Sequence, residues 1–175
     1  MSAITISRQM SSRGDELAQQ VLKTEETDAD AHYLYAANLG SASQLSGVMA
    51  SALTVNTLKT HVRRALELNP RHAHALHMMG MMLEELPWFL GGDPEMALSH
   101  IIKAIEVKPD YLRARLDLAK IYIKRNNHQA ARTELQYIVA APSPSPPSQA
   151  WQQQHQEART LLDTINRLDS SHGSP

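Results

Sequence analysis

Three histidines crowd one short stretch, His72, His74 and His77. His74 and His77 stand three apart, a spacing that sets both on one helical face, with Glu84 two turns further on. Zinc accepts imidazole and carboxylate ligands of this kind. The chain holds 9 histidines, so such a pair arises readily without a metal. No resident metal and no cofactor are expected, and His74 and His77 are the pair a metal would choose. Arg113, Lys120 and Lys124 recur at helical spacings and offer cationic groups to acids on a peptide. Trp88 and Phe89 stand side by side. Two large aromatics there either fold back over the neighbouring helices or anchor a partner, and the expectation is burial. There is no cysteine, so thiol nucleophiles and Cys-ligated metals are excluded. No His-Glu-x-x-His, nucleotide loop or Ser-His-Asp order is present, and no enzyme is expected.

The elements that must position these groups lie around residues 71–109. A first helix carries Leu76, Met79, Gly80 and Leu83 on one face, and a second carries Ala97, Ile101, Ala104 and Ile105. Pro87 disfavours helix at Leu86, so the first helix should stop there. Gly91-Gly92 can turn the chain back, Asp93 is a natural N-cap and Pro94 suits the first helical position. Gly80 and Ala104 lack bulk where the helices cross. The pattern returns in Leu118, Ala119, Tyr122, Ala131, Leu135 and Ile138, with a turn at Asn126-Asn127.

This recurrence resembles the tetratricopeptide repeat, a helix-turn-helix unit of about 34 residues. Gly80, Ala97, Ala104, Ala119, Ala131 and the closing Pro109 carry the resemblance. Pro70 and Pro109 stand 39 residues apart, and the surplus is the insert Leu86-Pro87-Trp88-Phe89-Leu90, an enlarged turn. The resemblance implies an all-α, TPR-like α-solenoid of about three helical hairpins. The run Pro87-Trp88-Phe89-Leu90-Gly91-Gly92-Asp93-Pro94, with Ala97, looks more narrowly like the T-component family of tripartite ATP-independent periplasmic transporters and related bacterial repeat proteins.

In chain order, residues 1–12 are expected to be disordered, and 13–141 form the repeat domain. The domain opens with a short leading helix at 15–23. A helix capped by Asp28 or Asp30 follows and runs past Gly40. A turn near Ser46-Gly47 leads to a second helix ending at Leu68, stopped by Asn69-Pro70. Residues 142–149 are a Pro/Ser linker, since proline removes donors and blocks helix. Residues 150–168 form a capping helix through Trp151, Ala158, Leu161, Leu162 and Ile165, as solenoid ends require. Residues 169–175 are a disordered tail.

Aromatic content is only 5%, so a core must come from Leu, Ile, Met and Ala, which suits helices. The net charge of −1 gives no bulk attraction to nucleic acid. No run reaches a membrane-spanning length. Met1–Met10 lacks an apolar h-region, so the chain as written reads as cytoplasmic, and a trimmed leader would make it periplasmic.

In the repeat family the first helices line a concave groove. Carried over, that groove takes Leu34 and Ala37; His74, His77, Met81 and Glu84; and Arg113, Leu116, Lys120 and Lys124. These residues lie off the packing stripe, which leaves them to solvent or a ligand. Met81 adds an adaptable thioether. Ala37 and Ser41 stand where a chaperone-tail clamp has Lys and Asn, so chaperone binding is not expected. The function expected is a non-catalytic module or scaffold binding a peptide or protein segment, with homo-oligomerisation left open. The alternative is an accessory component of a solute transport system, partnering a solute-binding protein.

Overall fold

The computed structural model describes residues 27–45 and 52–172. Among these, every regular element is helical: α1 (Ala29–Leu45), α2 (Ala52–Leu68), α3 (Ala73–Glu85), a one-turn 3-10 helix (Trp88–Leu90), α4 (Pro94–Val107), α5 (Leu112–Lys124), α6 (His128–Ala140) and α7 (Gln149–His172). The fold class is all-α and TPR-like. The expected disorder at 1–12, the leading helix at 15–23 and the turn at Ser46-Gly47 lie outside the described residues. The chain divides into two compact units, 1–107 and 108–175. In the first, α1 pairs with α2, α2 packs on α3, and α3 pairs with α4. In the second, α5 pairs with α6, and α7 packs on both.

Local chemistry sets the helix starts. Asp28 Oδ1 accepts the Asp30 N–H at 2.8 Å ahead of α1. Asp93 Oδ1 accepts from Glu95 and Met96 at 3.1 and 3.0 Å and caps α4, with Pro94 at its first position. Asn127 Oδ1 accepts the Ala130 N–H at 3.2 Å and caps α6. Ser148 Oγ accepts the Trp151 N–H at 3.1 Å and caps α7. One cap departs from the usual residue types: His72 Nδ1 accepts the Ala75 N–H at 3.1 Å at the start of α3.

Each unit has its own core. In the first, Ala36, Val62, Ala65, Ala75, Met79, Leu83 and Ala97 are buried together. In the second, Leu116, Ala119, Ala131, Leu135, Ile138, Ala158 and Ile165 do the same. Gly80 lets α3 and α4 approach closely. A Cβ there would lie 2.4 Å from Ile101 Cγ1 and 3.0 Å from the Ala97 carbonyl oxygen.

The last helix starts one residue before its expected bound and passes the expected end at Leu168. The reason is electrostatic. The Asp169 carboxylate accepts from His128 Nδ1 at 2.9 Å and from Arg132 at 2.5 Å, tying the final turns of α7 to α6. His128 first, and then Arg132, hold the Asp169 carboxyl below the usual carboxylate range.

Candidate protein-interaction surfaces

The insert at the α3–α4 turn is ordered by its backbone. Helix α3 ends at Glu85, and Leu86 is extended ahead of Pro87. The Leu90 and Gly92 N–H groups both return to the Pro87 carbonyl, at 2.9 and 3.1 Å, and the Gly91 N–H bonds the Trp88 carbonyl at 2.9 Å. Gly91 takes the left-handed conformation at φ +81. Gly92 is needed for room, since a Cβ there would lie 1.8 Å from the Leu86 carbonyl oxygen. Lys59 of α2 closes the turn from outside, its Nζ donating to the Leu90 and Gly91 carbonyls at 3.3 Å each.

The aromatics themselves are not buried. Trp88 is 85% exposed and Phe89 is 68% exposed, touching each other edge to face at 5.9 Å. The expectation that they fold back over the first helices is therefore wrong. Pro87 and the 3-10 turn carry the chain outward before Gly91 reverses it, and the backbone bonds hold it there without the aromatic side chains.

The predicted groove residues divide by unit and by burial. In the first unit, Leu34 is 52% exposed, while Ala37, His74, Met81 and Glu84 are half-buried. His77 is buried, so it does not face solvent as expected. Its position on α3 turns it toward the packed side of the hairpin. In the second unit, Leu116 is fully buried in the core, which removes it from any groove. It shares the apolar stripe with Ala119, three residues along the same helix.

Arg113, Lys120 and Lys124 do lie at the surface of α5. Arg113 Nε donates to Asp117 at 2.8 Å, and this bond, ahead of any other influence, raises the arginine's pKa. Lys120 Nζ meets Glu157 of α7 at 2.6 Å. Both cations are already matched inside the unit, so an acidic peptide would have to displace Asp117 or Glu157.

His72 and His74 are both engaged within the first unit. His72 Nδ1 accepts the α3 cap bond, so its Nε2 carries the proton and donates to Asp30 Oδ1 at 2.8 Å. Both ring nitrogens are thus occupied. His74 stacks on Tyr33 at 5.7 Å. No group of three or more metal-ligating side chains is assembled among the described residues. Sequence reasoning missed one further pair. His32 Nδ1 and His61 Nδ1 lie 3.0 Å apart across α1 and α2. Partners 29 positions apart leave no local periodicity to find them by. Burial, and then the neighbouring His32, lower the His61 pKa. No helix among the described residues is long and apolar enough to cross a membrane.

Comparison with known proteins gives two family matches. Residues 5–85 match the family described as regulator of microtubule dynamics protein 1-3, and residues 89–146 match the tetratricopeptide repeat. Regulator of microtubule dynamics protein 1 of Bos taurus is 30% identical across 66% of this chain and 42% of its own length. Its Mus musculus counterpart is 32% identical across 65% of this chain and 43% of its own. Regulator of microtubule dynamics protein 3 of Bos taurus is 24% identical across 85% of this chain and 35% of its own. The chain thus spans less than half the length of these curated relatives. A crystal structure of MamA covers 95% of this chain and 98% of its own, at 14% identity and a TM-score of 0.38. From the hairpins and the match at residues 89–146, the chain carries a tetratricopeptide repeat.

Proposed function

We propose that this chain is a non-catalytic protein-interaction module, with Trp88 and Phe89 as its partner anchor. One observation carries this: two large aromatics are held out in solvent by a turn whose order comes from backbone bonds, Gly91 and Lys59. Rigid exposed aromatics bury large area on binding at little entropic cost, and tryptophan is enriched at interface hot spots. The first-helix faces, with Leu34, Ala37, His74, Met81 and Glu84 in one unit and Arg113, Lys120 and Lys124 in the other, supply the polar and adaptable contacts around such an anchor. The names of its relatives suggest a partner among proteins that act on microtubule dynamics.

Affinity capture with wild type and with the Trp88→Ala/Phe89→Ala variant tests this reading. The variant should melt like wild type and lose the partner. Equal recovery of every partner would sink the anchor. A second reading is an accessory role in solute transport, and it rests on the Gly91-Gly92-Asp93 turn alone. Co-purification with a solute-binding protein is the result it requires.

A further inference from the structure

Beside the aromatic turn, α2, α3 and α4 leave a groove of about 570 Å³. Its floor is apolar, formed by Leu66, Met79, Leu83 and Met96. Met96 is 52% exposed there. Lys59 and Arg63, one turn apart on α2, supply cations at its side. Two carboxylates, Glu67 and Asp93, also line it. Glu67 is ion-paired with Arg64 at 3.2 Å, and Asp93 accepts the first N–H groups of α4.

Among the described residues Lys59 donates to two neutral carbonyl oxygens and Asp93 accepts from two neutral N–H groups, so these two opposite charges offset one another across the groove. Among the described residues Arg63 is exposed and has no hydrogen-bond or ion-pair partner. His100 Nδ1 donates to the Met96 carbonyl at 2.9 Å. The groove therefore presents an apolar floor beside one unmatched cation, Arg63. Its volume suits several side chains rather than a lone ion, and an arginine fork matches a carboxylate.

We propose that this groove docks an acidic amphipathic segment of a partner protein, with its apolar side chains over Met79, Leu83 and Met96 and a carboxylate on Arg63. Trp88 and Phe89 do not line the groove, so it stands apart from the aromatic anchor, although the turn they share lets one partner engage both.

The probe is a short fluorescein-labelled peptide of alternating glutamate and leucine pairs. Its controls carry lysine in place of glutamate, or serine in place of leucine. Fluorescence polarisation should show saturable binding of the first peptide alone, and the Met79 and Met96 methyl resonances should move with it. Arg63→Glu should weaken binding by about tenfold, as expected for one lost charge-assisted contact. Trp88→Ala/Phe89→Ala should leave this peptide's affinity unchanged, which separates the groove from the anchor. The proposal is overturned by absence of saturable binding, or by equal binding of either control peptide. Methyl shifts that leave Met79 and Met96 unmoved, unaltered affinity of Arg63→Glu, or loss of binding in the aromatic variant would each overturn it too.

Discussion

The two hairpin turns solve one problem at different lengths. Between α5 and α6, residues 125–127 suffice. Asn126 takes φ 57, and Asn127 caps the next helix. Between α3 and α4 the chain uses Pro87, a 3-10 turn, two glycines and a capping Asp93, and leaves Trp88 and Phe89 in solvent. Joining two antiparallel helices needs no more than the short version. The surplus in the long turn is not required to join the helices, and under the proposed function its exposed aromatics serve binding.

Substitutions can break this contrast. Gly92→Ala should do most damage, because its Cβ would lie 1.8 Å from a backbone oxygen that cannot swing aside. A loss of about 3 kcal/mol is expected in urea denaturation, with the first unit affected. Gly80→Ala should follow at about 2 kcal/mol, since Ile101 is fully buried and cannot retreat. The matching exchange in the second hairpin, Ala119→Gly, should cost about 1–2 kcal/mol, from helix propensity and the lost buried methyl, with no steric clash. If Gly80→Ala is neutral or stabilising, as a helix-propensity gain alone would make it, the close approach at Gly80 is not what the geometry says. Asn126→Ala should lower stability by about 1 kcal/mol, and Asn126→Gly should be neutral or better, because left-handed backbone suits glycine.

Acid should separate the two units as well. The folded state holds the His61 pKa below its ordinary value, so the unfolded chain takes up the proton first as pH falls. The His61 contribution is complete above about pH 6.5 and is lost as pH falls through the lowered value. Asp169 is also lowered, so its contribution is complete above about pH 4 and is lost below that. Melting scans should show the first unit weakening at mildly acidic pH. His61→Gln should remove that step while leaving the step below pH 4 in place.

Helix identity was legible because Leu76, Met79 and Leu83, or Ala131, Leu135 and Ile138, repeat at helical spacing, and because Asp93 and Asn127 are strong caps. The turn's order was legible from Pro87 and the two glycines. Its exposure was not, because hydrophobicity alone reads Trp88 and Phe89 as core. Leu116 shows the opposite failure. Family position sent it to a groove, while its own apolar side chain belonged to the stripe it shares with Ala119. Tertiary partners such as Lys59 with the Leu90 carbonyl, or His32 with His61, lie some 30 residues apart and leave no trace in local periodicity.

The central claim is that the long turn is a binding anchor and the short one is only a connection. A photo-reactive phenylalanine analogue placed at position 88, and in a second protein at position 126, compares them directly in cells of the native source. Cross-linking from position 88 should yield a discrete protein adduct, with background alone from position 126. Equal yields from both turns, or none from position 88, would contradict the account.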